Sequence, residues 1–251
     1  MGFFTGSIFS QTLGMDTQIG VILPQDARGA DRNARPATLI LLHGLSDNYA
    51  AWGFRSRILS YAEAHRVAVI MPEVQRSFYQ DMKYGEHYFT YITEELPDLA
   101  GKMFNISVAP KDLMVAGLSM GGYGALRCGL TYPERYRAIG AFSSACDIVR
   151  IAATADELGT FGRIANGIFG DPVEVPDASN LYKLSERVST LPFMMTCGTE
   201  DSLFPDNEAF FANLVEKGFN ATFDKWAGNH EWSFWDVSIQ MFLDRYAPVA
   251  K

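Results

Sequence analysis

The chain has 251 residues, 48% of them hydrophobic, enough for a sizeable core and, at this length, consistent with one α/β domain spanning 1–251. Its 21 Lys and Arg against 29 Asp and Glu give a net charge of −8 with no basic run, which argues against a nucleic-acid partner. No basic-then-apolar leader opens the chain and no apolar run approaches the ~18 residues of a membrane span, so no membrane partner is expected and the chain reads as soluble and cytoplasmic, with self-association left open. Cys128, Cys146 and Cys197 are odd in number, contain no C-x-x-C pair and sit in apolar surroundings, as reduced, buried thiols do.

Residues 3–10 and 18–23 alternate partly between apolar and polar around the turn-prone Gly14-Met15-Asp16, which predicts an opening antiparallel pair. A polar loop at 24–36 precedes the continuous apolar run of 37–44, expected for a strand buried on both faces. A helix at 49–65, a second buried strand at 67–72 and an aromatic, charged loop at 73–85 follow. Residues 88–104 read as a helix despite Pro97; 113–116 is a strand, 120–132 a helix and 138–143 a short strand. Segment 145–188 carries several Gly and Pro without clean strand periodicity and is expected to be an insertion near the site, with the apolar, glycine-rich 161–170 as a lid, a pocket wall or plain packing. Strand 192–197, helix 207–218, strand 221–226 and helix 231–246 close the chain. Alternating strands and helices imply a mostly parallel sheet covered on both faces, with functional groups at the strands' carboxyl ends.

The chemistry centres on Gly117-Leu118-Ser119-Met120-Gly121, which fits the G-x-S-x-G nucleophile elbow between a strand and a helix. Small flanking residues allow the sharp turn, and the helix N-terminus that follows can meet developing negative charge. A nucleophilic serine needs a base, and of His43, His65, His87 and His230 only His230 follows the serine, between the last strand and the last helix. The orienting carboxylate should leave a strand between the two, which makes Asp201 the leading candidate, with Glu200 and Asp147 as alternatives. Two backbone amides, Met120 and Leu45, are expected to form the oxyanion hole, with Gly44 allowing close approach to the substrate. His43 is read as bonding its own loop, and His65 and His87 lack metal-ligand spacing, so no metal and no cofactor are expected. Phe78, Tyr79, Tyr84, Tyr88, Trp232 and Trp235 bracket the site in sequence and are candidates for a pocket lining or for the core; Trp232 is taken as substrate-binding and Trp52 is left with the core.

Leu42-His43-Gly44-Leu45-Ser46, Arg76-Ser77-Phe78-Tyr79-Gln80-Asp81-Met82, Glu94-Glu95-Leu96-Pro97, the elbow, Cys197-Gly198-Thr199-Glu200-Asp201 and Gly228-Asn229-His230-Glu231-Trp232 occur in one order along nearly the whole chain. In these blocks the chain resembles the esterase D group of α/β-hydrolases, and within it the small bacterial tributyrin-esterase-like carboxylesterases. The resemblance implies an eight-stranded α/β-hydrolase sheet, a triad on Ser119, Asp201 and His230, and hydrolysis of short acyl esters. Relatives that cleave S-formylglutathione, feruloyl or acetyl-carbohydrate esters, or transfer mycolyl groups, share the motifs.

The expected function is therefore a cofactor-free serine carboxylesterase acting on a small-molecule acyl ester through an acyl-enzyme. A thioesterase or carbohydrate esterase with the same triad is the alternative. A non-catalytic scaffold of the same fold is a third reading, opposed by the joint presence of nucleophile, base, acid and both oxyanion loops.

Overall fold

The apolar runs of the sequence come together as one eight-stranded sheet in the computed structural model, which describes residues 1–25, 34–154 and 160–247. Most of the polar loop expected at 24–36, and positions 155–159 of the expected insertion, lie outside the described residues. The strands are β1 (Gly2–Ser10), β2 (Met15–Leu23), β3 (Ala37–Leu42), β4 (Val67–Pro72), β5 (Leu113–Leu118), β6 (Ala138–Phe142), β7 (Phe193–Gly198) and β8 (Ala221–Trp226). Their spatial order is β1-β2-β4-β3-β5-β6-β7-β8, with β1 and β2 antiparallel and all pairings from β4 to β8 parallel.

Strands β3, β4 and β5 are buried at every position, because both sheet faces are covered by helices. Their continuous apolar runs split by parity between two cores. Ile40, Leu42, Ala68, Ile70, Leu113 and Val115 face one, while Leu39, Leu41, Val67, Val69, Met114 and Ala116 face the other. Helix α5 (Met120–Thr131) lies against the first core, and α2 (Ile58–His65) with α10 (Trp232–Tyr246) against the second.

Several boundaries moved for identifiable reasons. The first turn falls at 11–14 rather than 14–16, because Glu95 reaches across from a distant helix and accepts from Ser10 Oγ (2.5 Å), Gln11 N (2.7 Å) and Thr12 N (3.0 Å). The helix expected at 49–65 is two, α1 (Ala51–Arg55) and α2, broken at Ser56 in extended backbone. The expected helix 88–104 is continuous but not uniform. Helix α3 (Tyr88–Thr90) passes through a π turn (Tyr91–Glu95) into α4 (Leu96–Phe104). Pro97 has no N–H for the carbonyl of Thr93 four residues back, and Arg135 Nη1 donates to that carbonyl instead at 3.1 Å.

Segment 145–188 forms α6 (Ile148–Ala153), α7 (Thr160–Phe169), a 3₁₀ turn (Asp177–Ser179) and α8 (Leu181–Leu184). It is fastened to α5 and to the loop after β4 by a buried polar network. Gln80 Nε2 donates to Tyr123 Oη (2.7 Å), Tyr123 Oη to Ser179 O (2.6 Å) and Ser179 Oγ to Gln80 Oε1 (2.8 Å). Beside it the buried Arg127 donates to Tyr79 O (2.7 Å) and Ala178 O (3.2 Å) and lies 3.7 Å above the Phe89 ring. The remaining helix, α9 (Phe204–Glu216), follows β7. Arg127→Met would leave both carbonyls short of a donor, and the expected loss is about 3 kcal/mol of unfolding free energy, read as a lower urea midpoint at unchanged slope.

Candidate active site

Ser119 sits between the last residue of β5 and the first of α5 with φ 55° and ψ −116°, a backbone conformation that an L-residue adopts only under constraint. The constraint is explicit. Ser119 N donates to Phe142 O (2.8 Å), and Ser119 O accepts from Tyr123 N (3.1 Å) and Ala145 N (3.2 Å). The two glycines of the motif are there for space. A Cβ on Gly121 would lie 2.5 Å from the Leu42 carbonyl oxygen, and one on Gly117 would lie 2.5 Å from the Gly121 backbone.

His230 arrives on the loop between β8 and α10. Its Nε2 accepts from Ser119 Oγ at 3.0 Å, and its Nδ1–H donates to Asp201 Oδ2 at 2.8 Å. The three side chains thus form one hydrogen-bonded chain from hydroxyl to carboxylate, at the carboxyl ends of β5, β7 and β8. Asp201 Oδ1 accepts from Leu203 N (2.9 Å), and the carboxylate is shielded from solvent. Burial pushes its pKa up, but the bonds from His230 and the Leu203 N–H outweigh this and hold it below the ordinary carboxylate range. The other two carboxylates are committed elsewhere: Asp147 caps α6 by accepting from Arg150 N (2.9 Å), and Glu200 accepts from Gly228 N and Thr199 Oγ1.

Glu200 therefore ties the acid loop to the base loop. The two run so close that a Cβ on Gly198 would fall 2.1 Å from Gly228 O. Glu200 N donates to Gly228 O (3.1 Å) and Thr199 N to Trp226 O (3.0 Å). On the other side, the fully buried Asn207 joins the acid loop to the end of β6. Its Oδ1 accepts from Ser144 N (3.0 Å), and its Nδ2 donates to Ser144 O and Leu203 O, both at 2.8 Å. Reading the sequence for triads missed Asn207, although it occupies a core position of α9 in series with Phe210 and Leu214, where a polar residue needs a reason.

Met120 is the first residue of α5, so its N–H has no acceptor one turn back, and Leu45 N–H likewise makes no bond among the described residues. The Leu45 amide is oriented through its own peptide plane. His43 Nε2 accepts from Val74 N (3.3 Å), which leaves Nδ1 as the donor to Gly44 O (2.8 Å), and that carbonyl shares a rigid planar unit with Leu45 N–H. His43 thus bonds its loop, as its position suggested. Gly44 is required by space, since a Cβ there would lie 2.7 Å from the Leu118 side chain and 3.8 Å from Ser119 Cβ.

The aromatics divide. Phe78, Tyr79, Tyr88 and Trp235 belong to the cores, Tyr84 is exposed, and half-buried Trp232 packs edge-on against Trp52 (5.1 Å) and Trp235 (5.4 Å). Trp52 is fully buried and donates from Nε1 to Leu42 O (3.0 Å), while Trp235 meets the His230 ring edge-on at 4.9 Å. Cys128, Cys146 and Cys197 are free and buried, and burial raises all three thiols, Cys128 and Cys197 to about 12. Among the described residues no group of three or more His, Cys, Asp or Glu could hold a metal ion, and no helix is long and apolar enough to cross a membrane.

The Esterase family model matches residues 10–245, and an acetyl esterase of Caldicellulosiruptor saccharolyticus is 31% identical over 249 residues, covering 93% of both chains. The chain belongs to the Esterase family. It is a serine ester hydrolase with the α/β-hydrolase fold. A fluorophosphonate-binding serine hydrolase of Staphylococcus aureus superposes on the esterase with a TM-score of 0.87 at 30% identity over 97% of each chain. An S-formylglutathione hydrolase from the same organism gives 0.85 at 29% identity over 97% of each. The S-formylglutathione hydrolase of Mus musculus is 33% identical over 145 residues, which is 54% of the esterase and 47% of that relative.

The lowered pKa of Asp201 has a sign that can be tested. Its paired, ionised form stabilises the fold above the ordinary aspartate range, and that contribution is lost as pH falls through the folded value. The stability advantage of wild type over Asp201→Asn, measured by urea unfolding, should therefore be full at pH 7, shrink from about pH 4 downward and vanish in stronger acid.

Proposed function

We propose that Ser119 is the nucleophile, His230 the general base and acid, and Asp201 the group that orients His230 and stabilises its cationic form, with the Leu45 and Met120 amides receiving the oxyanion. The observation that carries this reading is the unbroken chain Ser119 Oγ to His230 Nε2 (3.0 Å) and His230 Nδ1 to Asp201 Oδ2 (2.8 Å). In the acylation step His230 takes the Ser119 proton as Oγ attacks the ester carbonyl. The carbonyl oxygen gains charge between two N–H donors that have no other acceptor among the described residues, and one of these is already aimed by His43. Collapse expels the alcohol with the proton from His230, and water repeats the sequence to release the acid.

The substrates are small esters with short acyl groups, acetyl esters foremost and tributyrin-type esters among them. The 31%-identical acetyl esterase, matched over 93% of its length, supports this class. Gly44 keeps the oxyanion loop close to Ser119, Trp232 lines the approach to the site, and segment 145–188 supplies the wall above it. The enzyme works in the cytoplasm, without cofactor. A thioester substrate is the second reading, favoured by the S-formylglutathione hydrolase of S. aureus that superposes along 97% of the chain.

Ser119→Ala should lower kcat on p-nitrophenyl acetate by on the order of 10⁴-fold or more and abolish labelling by a fluorophosphonate, while folding normally by circular dichroism. Persistence of both signals would remove the serine mechanism. Comparing kcat/KM for p-nitrophenyl acetate, tributyrin, methyl ferulate and S-formylglutathione decides between the two substrate classes. The wild-type rate should fall on acidification, because the base must be neutral to accept the proton, and a rate that does not fall in acid would contradict this role.

A further inference from the structure

We propose that the pocket between the 75–88 loop and α7 is a subsite for a carboxylate carried by the ester substrate, with Arg76 and Arg163 as its cations. The proposal deepens the esterase reading above and rests on it. The pocket holds about 150 Å³; Met82, Tyr88 and Ile164 give it an apolar wall, Ser77 contributes to its lining, and Arg76 and Arg163 are its charged members. No carboxylate lines it, and neither arginine forms an ion pair with a carboxylate among the described residues. In a chain of net charge −8, two arginines lining one small cavity with no carboxylate among its described lining residues favour an anion, and the planar guanidinium fork matches a carboxylate.

The loop that forms one wall of this pocket is bonded to His43. Arg76 and Ser77 lie between two attachments to His43, the residue before Gly44: Val74 N donates to the His43 ring (3.3 Å) and Tyr79 Oη donates to His43 O (2.9 Å). Gln75, Phe78 and Tyr79 bracket them with φ of 52°, 52° and 53°, so the segment is held in a strained path by its surroundings. The opposite wall is pinned as well, with Lys83 N donating to Ile168 O (2.8 Å) and Tyr84 N to Gly167 O (3.0 Å). Arg76 and Arg163 are exposed while Tyr88 is buried, a combination suited to a short chain that ends in a charge.

The carboxylate can belong to the acyl group or to the leaving group, and two substrate pairs separate these sources. The p-nitrophenyl monoester of adipic acid against its methyl ester probes the acyl side; 4-acetoxybenzoic acid against its methyl ester probes the leaving side. In one pair the acid should be preferred at least fivefold in kcat/KM, through KM, and 0.5 M NaCl should reduce that preference. Arg76→Gln and Arg163→Gln should each lower the acid-to-neutral ratio about fivefold and the double variant about 20-fold, with Arg163→Lys recovering part of the loss. Equal or poorer use of the acid in both pairs, or variants that leave the ratio unchanged, would overturn the subsite while leaving the esterase reading intact. Wild type that hydrolyses neither neutral ester would overturn both.

Discussion

A serine held at φ 55° and ψ −116° is the constraint around which this molecule is arranged. The conformation costs on the order of 1–3 kcal/mol and persists only because the strand before it, the helix after it and the neighbouring strand leave no alternative. Strand β5 lies in the middle of the sheet, paired on both sides, so its end is fixed by β3 and β6 together. The turn itself is closed by bonds to Phe142, Tyr123 and Ala145, and Gly117 and Gly121 remove the side chains that would block it. Burial of the sheet on both faces thus provides the rigidity that one exposed hydroxyl requires.

The other members of the site are positioned by the same parallel sheet, which brings the carboxyl ends of β3, β5, β7 and β8 to one edge. What the sheet cannot do is set tenths of an ångström, and here short-range polar contacts take over. Glu200 and the Gly198–Gly228 approach lock the acid and base loops to each other, Asn207 locks the acid loop to β6, and His43 aims an amide through a peptide plane. Each of these contacts runs through backbone. Asp201 has both oxygens bonded, Oδ2 by His230 Nδ1–H and Oδ1 by Leu203 N–H.

The region that follows β6 is held differently. Among its described residues segment 145–188 contributes no strand; it is secured by the Gln80–Tyr123–Ser179 network and by Arg127, which reach it from α5 and from the loop after β4. Helix α5 therefore carries two of this segment's anchors, Tyr123 and Arg127.

By itself the sequence determined the alternating α/β order, the two-face burial of the central strands, the elbow at Ser119 and the chain order that singles out His230. These are legible because they are local: an apolar run, a glycine pair, a unique histidine after the serine. Choosing Asp201 over Glu200 and Asp147 rested on position alone, and the bonds that separate the three carboxylates, to His230, Gly228 and Arg150, connect loops whose approach no local pattern encodes. The same holds for the turn at 11–14, displaced by a carboxylate more than 80 residues away, and for the π turn where Arg135 serves the carbonyl that Pro97 leaves free. Asn207 and the presence of Arg76 and Arg163 in one pocket lining belong there too, since side-chain hydrogen bonds and distant residues' proximity depend on distances that only the folded sheet sets.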